Sequence, residues 1–409
     1  MSKISKYALS DLYDMSSGIS SSKEQAGHGS PFVSFSTVFN NIFLPDVLPD
    51  LMDTSDKEQE IYSIKAGDVL ITRTSETIDE LAMSCVAVKD YPKATYSGFT
   101  KRLRPKKDGV AYPKYMAFYF RSELFRKAVT NNAFMTLRAS FNEDIFSFLE
   151  VYLPDYDEQV KIGDMLYSIE RKIQKNREIN DYLEEMAKSI YDYWFVQFDF
   201  PDENGKPYKS SGGKMYFCDK LYRKIPFDWS YTSIGNITKC LDSERIPLSN
   251  QQREEMKGSI PYYGATGIMD YVNQSIFSGD YVLLAEDGSV MDENGNPILQ
   301  RISGNVWINN HAHVLQPIDG YSCRLLYLLL KDIPVAMIKT GSIQMKINQA
   351  NLNNYNVLNI PSRIRQQFIE RVEPIDEKMM QIQRENNKLI HLRDWLLPML
   401  MNGQATIED

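Results

Sequence analysis

Apolar side chains recur at alternating steps of four and three residues, from Ile162 through Leu166, Ile169, Ile173, Asn176, Asn180, Leu183, Ala187 and Ile190 to Trp194. Charged residues fill the positions between them. A 3.5-residue period held for more than four heptads predicts a long helix whose seam is fitted to a second helix. The pattern returns at Phe368, Val372, Ile375, Met379, Ile382, Asn386, Leu389 and Leu396. Pro154 matches Pro361, Gln159 matches Gln366 and Arg177-Glu178 matches Arg384-Glu385, each 207 residues further on in a chain of 409. A repeat at half the chain length implies duplication: two similar lobes, each leading into a similar helix. The second seam is offset by 206 rather than 207, a phase change that Pro374 would produce by kinking the helix or by starting it afresh. Two arrangements follow: the helices pack on each other as an internal coiled coil, or each packs on its own lobe. About 35 residues at 1.5 Å each make a rod of roughly 50 Å, the length of a spacer.

The lobes read as mixed α and β. In the first, KAGDVLITRT (Lys65–Thr74) and MSCVAVK (Met83–Lys89) are β-branched runs bounded by turn signals. Tyr112–Asn131 has helical spacing with Tyr115, Tyr119, Leu124 and Ala128 inward. In the second, Gly67-Asp68 recurs as Gly279-Asp280 before the strand-like YVLLAEDG, and Leu103 and Pro105 recur as Leu315 and Pro317, again 212 later. Gly29-Ser30 recurs as Gly258-Ser259 before IPYYGATG, and Thr136, Arg138 and Asn142 line up with Ser342, Gln344 and Asn348. The segment between the copies is rich in Gly, Pro, Ser and charge, as a linker is. The expected division is a first lobe at 1–152, a long helix at 153–198, a linker at 199–215, a second lobe at 216–359, and a second long helix with a tail at 360–409.

Composition narrows the function. The four cysteines, Cys85, Cys218, Cys240 and Cys323, are scattered, which suits a reducing compartment and not a zinc cluster. No run reaches 18 apolar residues and MSKISKYALSD lacks the apolar core of a signal peptide, so a cytoplasmic location is expected. A net charge of −8 weighs against nucleic-acid binding, yet it hides the local distribution. Asp46–Glu60 is an acidic loop, whereas Lys93–Arg138 holds eleven Lys or Arg against only Asp108 and Glu123. Lys101, Arg102, Arg104, Lys106 and Lys107 fall within seven positions flanked by tyrosines and Phe99. That is either a footprint for a phosphate backbone or a solvated face.

Catalytic chemistry is hard to find. There is no Gly-x-x-x-x-Gly-Lys-Ser/Thr loop, no Gly-x-Ser-x-Gly elbow and no Asn-Pro-Pro-aromatic clamp for an adenine amino group. GATG (Gly264–Gly267) reads as a turn. His311 and His313 in NNHAHVLQP would share one face of a strand, either as half of a metal site or as a hydrogen-bonded pair. The lack of groups for a reaction points to a binding protein.

Taken in order, these stretches resemble the specificity subunit of type I restriction–modification systems over essentially the whole chain. The resemblance rests on the two Pro-x4-Gln-x2-Ile helix starts and on NREINDYLEEMAKSIYDYWFVQF and the terminal LLPMLMNGQ. It also rests on the order IPYYGATG…GDYVLLAEDG…GNVWINNHAHVLQP. The first lobe departs from it, with YSGFTKRL in place of NNHAHVL. The resemblance implies an α+β fold: two similar mixed α/β target-recognition domains joined by two long helices that form an antiparallel coiled coil with pseudo-two-fold symmetry. It implies a non-catalytic subunit that reads a split DNA sequence; physically, base edges are best distinguished in the major groove, and if both lobes read the same DNA face their centres fall about one helical turn, roughly 10 base pairs, apart. Its partners would be double-stranded DNA, two modification subunits that bring S-adenosylmethionine and methylate adenine, and a motor–nuclease subunit in some assemblies. The expected phosphate contacts are Lys101, Arg102, Arg104, Lys106, Lys107, Lys339 and Lys346. The expected base readers are Thr136, Arg138, Ser342 and Gln344, with Tyr262, Tyr263 and Thr266 beside them. No metal and no cofactor is expected in this chain. Alternative readings are a recognition subunit of another methyltransferase-based defence system and a metal-dependent enzyme using His311 and His313.

Overall fold

The computed structural model describes residues 4–20, 22–77, 80–132, 139–341 and 345–407. It forms two compact units, one of Met1–Lys175 with Asn386–Asp409 and the other of Asn176–Glu385. The boundary crosses both long helices, Tyr156–Tyr191 and Ser362–Met401, so each unit is a lobe plus a segment of each helix.

In the first unit a four-stranded antiparallel sheet runs in the order Tyr13–Ser17, Thr100–Pro105, Val69–Thr72, Ser84–Val86. A second, three-stranded sheet joins Asp50–Met52, Ala26–Val33 and Thr95–Tyr96. The strand Ser5–Ala8 pairs with Glu150–Leu153 and brings the two ends of the lobe together. The second unit repeats the frame: Thr238–Cys240, Ala312–Pro317, Phe277–Ala285 and Leu299–Ile308 follow in the same order and the same antiparallel sense. There Lys257–Tyr263 and Ile268–Val272 continue the same sheet, and Ser230–Ser233 pairs with Asn356–Asn359. The recurring Gly29 and Gly258 have one reason. Each lies in an interruption of strand register, where an added Cβ would meet neighbouring backbone at 2.7 and 2.5 Å, respectively. Asn142 and Asn348 also do one job, each capping the N-terminus of the helix before the last strand of its lobe.

The seams lie where their period puts them. In the first unit Ile162, Leu166 and Ile173 are buried and Ile169 and Leu389 half-buried. In the second, Phe368, Val372, Ile375, Met379 and Ile382 are buried and Leu183 and Ile190 half-buried. The helices pair antiparallel within each unit. In the first, Arg393 reaches Glu170 at 2.7 Å and the Asn386 amide donates to the Ile173 carbonyl at 3.3 Å. In the second, the Asn176 amide donates to Glu385 at 2.8 Å and the Asn180 amide to the Met379 carbonyl at 3.4 Å. The second helix runs unbroken through the exposed Pro374 and does not start afresh there. The phase change is set earlier. Buried Gln159 bonds the Tyr112 N–H and the Val110 and Pro154 carbonyls, whereas its match Gln366 is exposed and Arg365 turns inward instead.

One expectation changes. Tyr112–Asn131 is two helices, Pro113–Tyr119 and Glu123–Asn132; Phe125 points inward where Leu124 was expected to. Within the expected linker at 199–215, Phe200 stacks on Tyr208 and Trp229 with centroids 4.9 and 4.8 Å away, and Asp199 accepts from Ser210.

Candidate nucleic-acid interface

The basic run of the first lobe is largely a strand, and the strand buries most of its charge. Lys101 is 7% exposed and pairs with Glu143 at 3.2 Å. Arg102 lies over the Tyr96 ring and donates to the Ser63 carbonyl at 2.5 Å. Arg104 forks onto the fully buried Asp68 at 2.8 and 2.6 Å, which raises its own pKa. These three hold the lobe together rather than lying open to a phosphate backbone. A buried cation needs local compensation: Lys101 and Arg104 have carboxylates, whereas Arg102 has a carbonyl and a ring and its Nε is left without a partner. Lys106 and Lys107 are exposed. Lys106 donates to the Ser10 carbonyl, and Lys107 makes no ion pair among the described residues.

In the second lobe Tyr262 and Tyr263 are core residues. Arg253 covers the Tyr262 ring, and burial pushes the Tyr263 hydroxyl up to about 12. Thr266 is exposed in the turn between Lys257–Tyr263 and Ile268–Val272, beside the exposed Met269. Lys339 is half-buried near the Met345 sulfur, and Lys346 is exposed but paired with Glu286 at 2.9 Å. Thr136, Arg138, Ser342 and Gln344 lie outside the described residues.

The backbone beside those segments is built alike in both lobes. The Arg73 N–H donates to the Phe99 carbonyl at 2.8 Å, and the Phe141 N–H donates to the Arg73 carbonyl at 2.8 Å. In the second lobe the Glu286 N–H donates to the His311 carbonyl at 2.8 Å, and the Ile347 N–H donates to the Glu286 carbonyl at 2.9 Å. Around this clamp the second lobe carries a charged network. Arg245 bonds Glu286 at 2.7 Å, and Asp242 accepts from the Val314 N–H and from His313 Nδ1–H at 2.5 Å.

The two histidines do not share a site. His311 precedes the strand and turns to Asp287 at 2.7 Å, whereas His313 is 2% exposed and gives Nδ1 to Asp242 and Nε2 to the Ile347 carbonyl. Burial depresses the His313 pKa, but Asp242, the Ile347 carbonyl and Glu286 outweigh it, so the net shift is upward. Both nitrogens face acceptors, which holds the imidazolium. Burial and the Asp242 charge push the nearby Cys240 thiol up to about 12, while Asp242, its own pKa lowered, accepts from His313; the three candidate ligand groups are taken up by one another. Asp242 and Glu143, the partners that decide the fate of these cations, escaped the sequence reading because they lie 71 and 42 residues away from them.

The comparisons agree with this doubled frame. The profile described as the type I restriction modification DNA specificity domain matches residues 1–185 and 226–391. The chain therefore belongs to the type I restriction–modification DNA specificity family, whose members are non-catalytic. It is 24% identical over 375 residues to the type I restriction enzyme MjaIX specificity subunit of Methanocaldococcus jannaschii, covering 86% of this chain and 81% of that one. It is 21% identical to the HindI specificity subunit of Haemophilus influenzae, covering 64% and 70%, respectively. The crystal structure of the type I restriction–modification S subunit from M. genitalium matches its fold with a TM-score of 0.56 at 15% identity, over 98% of this chain and 96% of that one. No helix among the described residues is long and apolar enough to cross a membrane.

Proposed function

We propose that this chain is the DNA sequence-recognition subunit of a type I restriction–modification complex and reads a split target, one half with each lobe. The observation that carries this reading is the same strand frame and backbone clamp built twice in one chain, with different side chains around each copy. A repeated scaffold with unlike surfaces suits two readers of unlike sequences. Lys106, Lys107 and Thr266 remain exposed candidates for DNA contact, together with Thr136, Arg138, Ser342 and Gln344. Gln344 suits adenine and Arg138 suits guanine by bidentate geometry.

The long helices dock the modification subunits. On the first, Ile179, Tyr182 and Met186 are exposed at helical spacing, a second apolar stripe outside the seam, and the exposed Tyr193 follows just past the helix end. S-adenosylmethionine and the methyl transfer to adenine belong to those subunits, and a restriction subunit joins them in a complete system.

The test is a map of methylated adenines in cells with and without the gene. The reading predicts one split motif that disappears with the gene. Exchanging residues 216–359 for those of a relative should rewrite one half of the motif and leave the other intact. An identical methylation map in both strains would sink the reading.

A further inference from the structure

The two lobes place an exposed ring at one equivalent point. Phe99 and His311 are 212 residues apart, and each stands in the turn before a central strand, Thr100–Pro105 or Ala312–Pro317. Each gives its carbonyl to the first N–H of the clamp described above, so each adjoins the residue to which Phe141 or Ile347 is tied. Those tied residues follow the segments that carry Arg138 and Gln344. Phe99 is 65% exposed, and the His311 side chain is 48% exposed. A large ring held out from a lobe by a repeated backbone hydrogen bond has no packing task to explain it.

We propose, resting on the recognition reading above, that Phe99 and His311 are specificity-determining residues, one base-pair reader in each lobe. The two rings have different chemistry. Phe99 offers only an apolar edge, and the cleft of about 380 Å³ that it lines with the stacked Phe35 and Phe39 also carries Thr74, Ser75, Glu76 and Glu80. In the major groove its complement is the thymine methyl group. His311 holds its Nδ1–H against the Asp287 carboxylate at 2.7 Å, since a carboxylate can only accept. In the neutral ring Nε2 is then an acceptor, with no partner among the described residues. Its complement is the exocyclic amino group of adenine or cytosine.

The experiment expresses the full complex, with its modification subunits, in a host without adenine methylation, and sequences the methylated sites for the native chain, Phe99→Ala, Phe99→Leu and His311→Ala. Phe99→Ala should relax one thymine position in one half of the motif by about tenfold, the effect of one lost base contact. Phe99→Leu, which keeps an apolar contact, should relax it less. His311→Ala should relax one position in the other half only. Unchanged motifs overturn the proposal, as does an even fall in methylation at all sites. Complete loss of methylation overturns it too, because a ring this exposed does not hold a lobe folded. If the native complex methylates no split motif that depends on this chain, the failure belongs to the recognition reading instead.

Discussion

Lys101 and His313 occupy the same place in two copies of one sheet. Lys101 pairs in register with Ile71 and His313 with Leu284, and both are buried cations. Beyond that they share nothing. Lys101 ends on Glu143, the first residue of a helix, whereas His313 bridges Asp242 and the Ile347 carbonyl. The backbone frame is what duplication kept, and each lobe found its own counter-group for the charge it buried. The ion pairs of the long helices differ likewise. In the second unit Asp376 is 1% exposed and binds Arg324 at 2.6 Å and Arg301 at 2.9 Å; in the first, Glu170 holds Arg393, whose side chain is 18% exposed.

This contrast can be broken in order of size. Asp376→Ala removes the carboxylate shared by two buried guanidinium groups, leaving Arg324 with Glu184 and Arg301 with Asp280, and should cost about 3 kcal/mol in denaturant unfolding. Glu170→Ala should cost less, roughly 1–3 kcal/mol, because Arg393 can turn to water. Equal losses would dissolve the distinction between the units. Acid–base behaviour should separate the lobes next. The raised pKa of His313 means that its charged hydrogen bond contributes fully below the ordinary histidine value of about 6.5 and fades as pH climbs through the folded value. Asp242, whose pKa is lowered, contributes above the ordinary aspartate value and fades only on acidification. Unfolding monitored from pH 6 to about 9 should therefore show a loss of roughly 1–2 kcal/mol that His313→Asn abolishes and Lys101→Met leaves in place. A native protein whose stability is flat over that range would refute the imidazolium assignment. The smallest effect should be the same in both lobes. Ser55 with Glu58 and Ser249 with Gln252 form capping boxes on exposed short helices, and Ser→Ala at either should cost about 1 kcal/mol.

The long helices were legible because their signal is local and repeated: a period of 3.5 survives any tertiary context. The 212-residue match of Leu103 and Pro105 with Leu315 and Pro317 was visible as a repeat, and the structure places it on the paired central strands; the aligned Asn142 and Asn348 prove to be two caps. The basic run misled because strand burial depends on partners far along the chain. Nothing near Arg104 announces that Asp68 will neutralise it, and nothing near Arg102 announces the Ser63 carbonyl. Phe99 and His311 each stand out singly, for other reasons, but their equivalence was not legible. Their likeness lies in which carbonyl accepts which N–H, a relation the side-chain alphabet does not spell.

The asparagines set into the helix seams give the pairing discrete steps. An all-apolar seam can slide, since one leucine contact replaces another; an amide that has left its acceptor leaves a polar group in a dry place. Asn176, Asn180 and Asn386 each have a designated mate on the opposite helix. A longer version of this protein should therefore tolerate whole heptads added to both helices together and reject the odd residue, so that any change in reach comes in notches.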